Sequence, residues 1–115
     1  MNEIELKQRT KTFALRILKL VGALPQNIEG RVIANQLARS GTSVGANYRA
    51  ACRARSKAEF ISKLGTVEEE ADECAFWLEI IIEGGYLKES RVDDLLQEAN
   101  ELTAIMVASR KSASR

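Results

Sequence analysis

The apolar residues between Phe60 and Ile81 recur at alternating steps of four and three residues without a miss. This spacing places all of them on one face of a single long α-helix. A helix of that length, in a chain of 115 residues with only one proline, favours a fold built from helices throughout. The apolar face consists of Phe60, Leu64, Val67, Ala71, Cys74, Leu78 and Ile81.

Both ends of this helix carry sequence signals. Ser56 is a suitable N-cap, and Glu59 three residues later completes a capping box. The pair Gly84 and Gly85 provides the stop, because glycine readily takes the left-handed conformation that closes a helix. The sequence therefore predicts a helix over residues 57–83.

Two further helices are predicted, one near each end of the chain. The first covers residues 4–23 and ends at Pro25. The fourth in chain order covers residues 88–109 and is followed by a flexible tail over 110–115, which has neither periodicity nor bulk. The apolar positions that define them are Leu6, Phe13, Ile17, Leu20 and Leu24 in the first, with Thr10 filling a gap, and Leu95, Ala99, Leu102 and Met106 in the last.

The segment over residues 29–54 is the contested part of the chain. Its glycines, serines and threonine are compatible with a loop between two short helices, or with a phosphate-cradling loop, although neither GxGxxG nor GxxxxGK[ST] occurs. A helical projection instead sorts the residues into an apolar, a small-residue and an arginine face, which favours one continuous helix. On this interpretation Gly41 and Gly45 allow a neighbouring helix to approach closely. The predicted fold is all-α, a single domain in which four helices form a bundle; the antiparallel up-down-up-down order of these helices is an implication of the family resemblance given below.

The charges of the chain are strongly segregated, although the formal net charge is only +1. Residues 30–63 carry seven basic groups against Glu59 alone, and residues 64–104 carry twelve acidic groups against Lys88 and Arg91. Clustered arginines on one helix suit nucleic-acid phosphates, because each guanidinium can bind two oxygens and each neutralised phosphate releases counterions. The predicted nucleic-acid-binding residues are Arg31, Arg39, Arg49, Arg53, Arg55 and Lys57.

A second explanation of these arginines stays open. They are also suited to pair with an acidic helix of a neighbouring subunit, in which case the protein is an interaction scaffold. The third helix supports self-association, because its second half is apolar almost all round. Phe76, Trp77 and Ile80 are the predicted oligomer interface, and scattered surface apolar residues are the alternative.

Several kinds of chemistry are disfavoured by composition. The chain has no histidine, so it lacks the most common general base and the ligands of a Cys/His zinc site, and Cys52 and Cys74 are interpreted as packing residues. Carboxylate-based or lysine-based chemistry is the alternative that the composition leaves open. The acidic run at 68–73 reads as a solvated or interface-facing surface. We expect no catalytic residues, no metal, no cofactor and no membrane contact, and a cytoplasmic protein that is not an enzyme.

Residues 5–105 resemble the bacterial four helix bundle protein family. The similarity rests on the run RSGTSVGANYRAACRARS, the start KAEFISKL, and the block EEEADE followed by WL, which occur in this order. The family includes proteins encoded by intervening sequences in some 23S ribosomal RNA genes, also labelled S23 ribosomal proteins.

The resemblance carries its own implications for assembly and partners. It implies a barrel-like homopentamer of up-down-up-down bundles. A related accessory protein of diversity-generating retroelements is basic and associates with nucleic acid and a reverse transcriptase, so the resemblance implies RNA or DNA, and by distant analogy a reverse-transcriptase-type partner, for this chain. It supplies no catalytic residues. This chain is near neutral, unlike the retroelement relative.

Overall fold

The computed structural model describes residues 1–115 and contains four α-helices and one short 3-10 turn. The helices pack antiparallel in one domain, which confirms the predicted all-α class. Along the bundle α1 packs on α2, α2 on α3, and α3 on α4, whereas α1 and α4 contact each other only lightly. The elements are α1 (Glu3–Val21), α2 (Ile28–Cys52), α3 (Lys57–Glu83), the turn Glu89–Arg91 and α4 (Asp93–Ala113).

Side-chain caps explain where the first three helices begin. Asn2, Asn27 and Ser56 each accept a hydrogen bond from the backbone N–H three residues later, which satisfies a donor that the helix itself cannot pair. The Glu59 carboxylate accepts from the backbone N–H of Arg55 at 3.2 Å, one residue before the position that a standard capping box uses. The N-cap of α3 is therefore as predicted, and the reciprocal contact is shifted by one residue.

The fourth helix differs from its prediction at both ends. It begins at Asp93 rather than 88, because the 3-10 turn precedes it and places Val92, which is fully buried, in the core. It continues to Ala113, where the sequence predicts a flexible tail from residue 110. Arg110 in this last turn donates two hydrogen bonds to Glu68 of α3, and this contact across the bundle favours the added turn.

The segment that contains Gly41 and Gly45 is helical throughout, and a close approach between α1 and α2 explains both glycines. A Cβ added at Gly41 would lie 2.7 Å from Cγ2 of Ile17, and one at Gly45 would lie 3.4 Å from Thr10 atoms. Thr10 is itself buried, and its hydroxyl donates to the carbonyl of Leu6 at 2.9 Å. The small-residue face of α2 is therefore the surface on which α1 packs, and no phosphate-cradling loop is present.

The two cysteines lie in different environments. Cys74 is buried between α3 and α2, where its thiol lies 3.4 Å from the hydroxyl oxygen of Ser40, and burial raises its pKa to about 12. Cys52 is only partly buried at the end of α2, and burial raises its pKa as well. Both thiols are free, in agreement with the packing role that the sequence indicates.

We expect Ellman's reagent at pH 8 to modify Cys52 slowly and Cys74 only after global unfolding. The thiolate is the reactive form, and the Cys74 thiol is both neutral at this pH and out of contact with solvent. The absorbance increase after the reagent is mixed with native and with urea-unfolded protein measures the reaction rates of the two thiols. A Cys52→Ser variant should show no reaction while it stays folded, and equal rates for both thiols in the native wild type would contradict the prediction.

Candidate nucleic-acid interface

A cleft of about 350 Å³ lies between α1 and α2, near the end of the bundle where α1 begins and α2 finishes. Four of its six lining residues are cations and none is acidic. A smaller cleft of about 170 Å³ continues it along the same helix pair and shares Lys7, Lys11 and Arg49. The larger cleft is lined by Ile4, Lys7, Gln8, Lys11, Arg49 and Arg53.

The antiparallel packing of α1 and α2 creates this cluster. Lys7 and Lys11 are one helical turn apart on α1, so they project from one side of that helix. Arg49 in the last turn of α2 and Arg53 at its C-cap are also four residues apart. Small residues of α2, including Gly45, line the smaller cleft and let the two helices come close. The four cations therefore face one another across a narrow groove. We call this set the cationic cleft.

The charges of the cationic cleft are largely uncompensated within the chain. Lys7 pairs with Glu3 at 3.1 Å, a contact within one turn of α1 that also lowers the pKa of Glu3. Lys11, Arg49 and Arg53 form no ion pair and no side-chain hydrogen bond. Lys11 and both arginines are exposed. Three cations at one groove thus have their hydrogen-bond donors directed to solvent.

The structure does not bring the six predicted cations together. Arg39 is held by its own chain: it donates to Glu70 at 2.9 Å and to Glu73, and these two carboxylates raise its pKa. Arg31 lies at the opposite end of α2, about 33 Å along the helix axis from Arg53. The shared arginine face that the helical projection predicts is therefore divided, and only Arg49 and Arg53 belong to the cationic cleft.

Arg55 and Lys57 lie in the connection from α2 to α3, at the same end of the bundle as the cleft. Both are exposed, and the Nζ atom of Lys57 donates to the backbone carbonyl of Arg115 at 2.9 Å. This contact places the end of α4, with Lys111, beside the start of α3. Basic residues from all four helices thus gather at one end of the molecule.

Sequence reasoning missed Lys7 and Lys11. Their four-residue spacing, on a side of α1 that flanks the predicted core face, was available in the sequence. The fact that this side borders the arginines of α2 was not available, because it depends on the rotation of the two helices about their axes.

The three predicted interface residues differ in their exposure to solvent. Phe76 is 53% exposed on α3, whereas Trp77 and Ile80 are partly buried against the chain's own core. The Phe76 ring meets Trp77 edge to face, with ring centroids 5.0 Å apart. The Trp77 indole N–H donates to Glu73 at 3.2 Å, so this residue joins the network around Arg39. Phe76 alone of the three presents most of its surface to solvent.

No group of three or more Cys, Asp or Glu side chains is arranged to hold a metal ion. No helix combines the length and the apolar character that crossing a bilayer requires. What distinguishes this surface is the cationic cleft and the exposed acidic side of α3. These features define the molecule as a small, antiparallel four-helix protein with segregated surface charge.

The chain belongs to the 23S rRNA-intervening sequence protein family, whose model matches residues 2–108. It is similar to the crystal structure of a protein of unknown function from the S23 ribosomal protein family of Bacteroides thetaiotaomicron, with 34% sequence identity and a TM-score of 0.86. That match covers 92% of this chain and 98% of the other. No curated protein matches the chain. The resemblance expected from the sequence motifs is confirmed.

Proposed function

We propose that this protein is a non-enzymatic, homo-oligomeric accessory protein that binds the phosphate backbone of RNA or DNA through the cationic cleft. The observation that supports this most directly is the convergence of four cations on one groove, three of them without a partner in the chain. Arg55 and Lys57 extend the positive surface at the same end of the bundle. Arg31 and Arg39 are not part of the proposed site.

The residues of the cationic cleft suit backbone recognition. Arginine can bind two phosphate oxygens at once, and each neutralised phosphate releases condensed counterions. No aromatic residue lines the cleft, so it offers no platform on which bases could stack. Binding should therefore depend on charge and backbone shape more than on base sequence.

The family name refers to intervening sequences of 23S rRNA and names no ligand, so RNA and duplex DNA are both tested. The ring-like homopentamer and the reverse-transcriptase-type partner are implied only by the resemblance to related proteins. The alternative function is a scaffold whose α2 arginines pair with acidic helices of other subunits. Arg39 does not support this alternative, because its carboxylate partners lie in the same chain.

We expect Arg49→Gln with Arg53→Gln to weaken binding of a structured RNA about tenfold or more at roughly 50 mM salt, because two phosphate contacts are lost. The plot of log affinity against log salt should become less steep by about two. Fluorescence anisotropy with labelled RNA and with duplex DNA across a salt series measures both quantities.

The matched control is Lys88→Gln with Arg91→Gln, which removes the same charge from two exposed residues at the opposite end of the bundle. This control should change the affinity less than about twofold if contacts in the cleft, rather than net charge, drive binding. Wild-type binding that is absent at low salt or independent of salt would contradict the proposal. Equal losses in the two double variants would assign the effect to net charge.

A further inference from the structure

The outer side of α3 carries a regular acidic stripe. Five exposed residues follow one another at steps of three, four, three and four, so they lie in one line along the helix. The carboxylates of this stripe form no ion pair or hydrogen bond within the chain. The acidic stripe consists of Glu69, Asp72, Phe76, Glu79 and Glu83.

The outer side of α1 carries a second stripe with the same kind of spacing, which is mostly apolar and whose only charged groups, Lys11 and the adjacent Lys19, are basic. Its residues step by four, three, four and three on the side of α1 that faces away from the core. Ile4 is 79%, Leu15 62% and Leu18 45% exposed, which is unusual for large apolar side chains on one line. The basic stripe consists of Ile4, Gln8, Lys11, Leu15 and Leu18, with Lys19 beside Leu18.

We propose that the acidic stripe of one copy docks on the basic stripe of a second copy. Each stripe spans fifteen residues from first to last, and the fourteen rises between them make about 21 Å of helix. Placing Phe76 over Leu15 joins the apolar residue of the acidic stripe to the leucine that lies between two lysines on α1. Leu15 has Lys11 and Lys19 four residues to either side, and Phe76 has Asp72 four residues before it and Glu79 three residues after it. Each lysine therefore lies about one helical turn from the apolar contact, as its carboxylate partner does.

This pairing specifies the partner for the homo-oligomer in the proposed function, and it rests on that part of the proposal. The two stripes are different surfaces on different helices, and α1 and α3 are not neighbours in the bundle. Each copy therefore offers one stripe to the copy before it and one to the copy after it. Contacts of this head-to-tail kind produce a closed ring, or a filament if the rotation does not close.

Docking of this kind leaves the arginines of the cationic cleft accessible. Arg49 and Arg53 lie at the end of α2, whereas the basic stripe uses α1 and shares Ile4, Gln8 and Lys11 with the larger cleft. In the assembled oligomer Lys11 therefore pairs with a carboxylate, and the cleft keeps Lys7, Arg49 and Arg53 for a phosphate ligand. The apolar contact buries Leu15 and Phe76, and the flanking charges fix the register, as charged positions beside an apolar seam do in coiled coils. An isologous pairing of two acidic stripes would instead place like charges together.

The test uses analytical ultracentrifugation of wild type, Leu15→Glu and Phe76→Lys at low salt. Wild type should sediment as an oligomer, and each variant should be monomeric because it places like charges on the opposing stripe. An equimolar mixture should form a 1:1 heterodimer, because one variant keeps an intact acidic stripe and the other an intact basic stripe. Both substituted positions are exposed, and circular dichroism verifies that the helices are retained.

Each outcome either supports or overturns the proposed pairing of the two stripes. A monomeric wild type, variants that keep the wild-type mass, or a mixture without the heterodimer would overturn the pairing. Rescue of a Lys19→Glu variant by adding Glu79→Lys or Asp72→Lys in the same chain supports the register and shows which helix direction holds; rescue by neither overturns it. RNA anisotropy on the monomeric variants, whose Arg49 and Arg53 are intact, separates failure of the assembly from failure of nucleic-acid binding.

Discussion

A Gly41→Val variant should lose about 3 kcal/mol of unfolding free energy, because it overpacks the contact between α1 and α2. A Cβ at this position would lie 2.7 Å from Cγ2 and 3.0 Å from Cβ of Ile17. Ile17 is fully buried and its β-branched side chain is stiff at χ1, so it cannot move aside. Valine adds two further methyl groups to this conflict. Urea unfolding followed by circular dichroism measures the loss.

Gly65 provides the control for helix propensity. It lies inside α3, and a Cβ there would meet only Cδ of Arg110, at 4.0 Å. Gly65→Ala should therefore raise the unfolding free energy by about 0.5–1 kcal/mol, the usual gain of alanine over glycine in a helix. If Gly41→Val proved as stable as wild type, the close approach of α1 and α2 would not be a constraint on this fold.

An Arg9→Met variant should lose about 2 kcal/mol of unfolding free energy, because Arg9 joins α1 to α4 where the two helices otherwise contact each other only lightly. Its guanidinium donates two hydrogen bonds of 2.7 Å to Glu98 and one of 2.8 Å to Glu101. The Glu98 side chain is only 18% exposed, so removing Arg9 leaves a mostly buried carboxylate unpaired. Urea unfolding at neutral pH measures the effect.

The double variant Arg9→Met with Glu98→Leu is the control for this prediction. It removes both charges, so most of the loss should be recovered if the unpaired carboxylate is the cause. A double variant as unstable as Arg9→Met would instead assign the loss to packing of the arginine stem. Hydrogen exchange in α1 and α4 should also rise in the single variant, because the contact that joins these helices is gone.

Acid should weaken the same contact. Hydrogen bonds from Gln97 and Arg9 hold the pKa of Glu101 below its usual value of 4.5. A carboxyl group with a lowered pKa in the folded state stabilises the fold above its ordinary pKa, and this contribution disappears as the pH falls through the lower, folded value. The wild type should therefore lose stability below about pH 4.5 more steeply than Arg9→Met, which equilibrium unfolding across this range tests.

The course of the helices and the identity of the core followed from the sequence because both depend on local periodicity. The apolar steps from Phe60 to Ile81 predicted a helix over 57–83, and the structure places α3 over the same residues. The local pattern did not predict the ends of an element that tertiary contacts extend or displace. The ends of α4 moved because Val92 is drawn into the core and Arg110 pairs with Glu68, and neither contact has a signature in neighbouring residues.

The candidate site also separates what spacing along one helix predicts from what tertiary packing decides. The sequence by itself determined that basic and acidic residues occupy different segments and that Gly41 and Gly45 lie on a packing face, since spacing along one helix sets these properties. Only the tertiary structure decided which cations are available to a ligand. Antiparallel packing places Lys7 and Lys11 beside Arg49 and Arg53. It also pairs Arg39 with two carboxylates of α3, so this arginine is not available to a ligand. The physical reason is that an exposed charge is defined by its neighbours in space, and residues more than thirty positions away in the chain supply them.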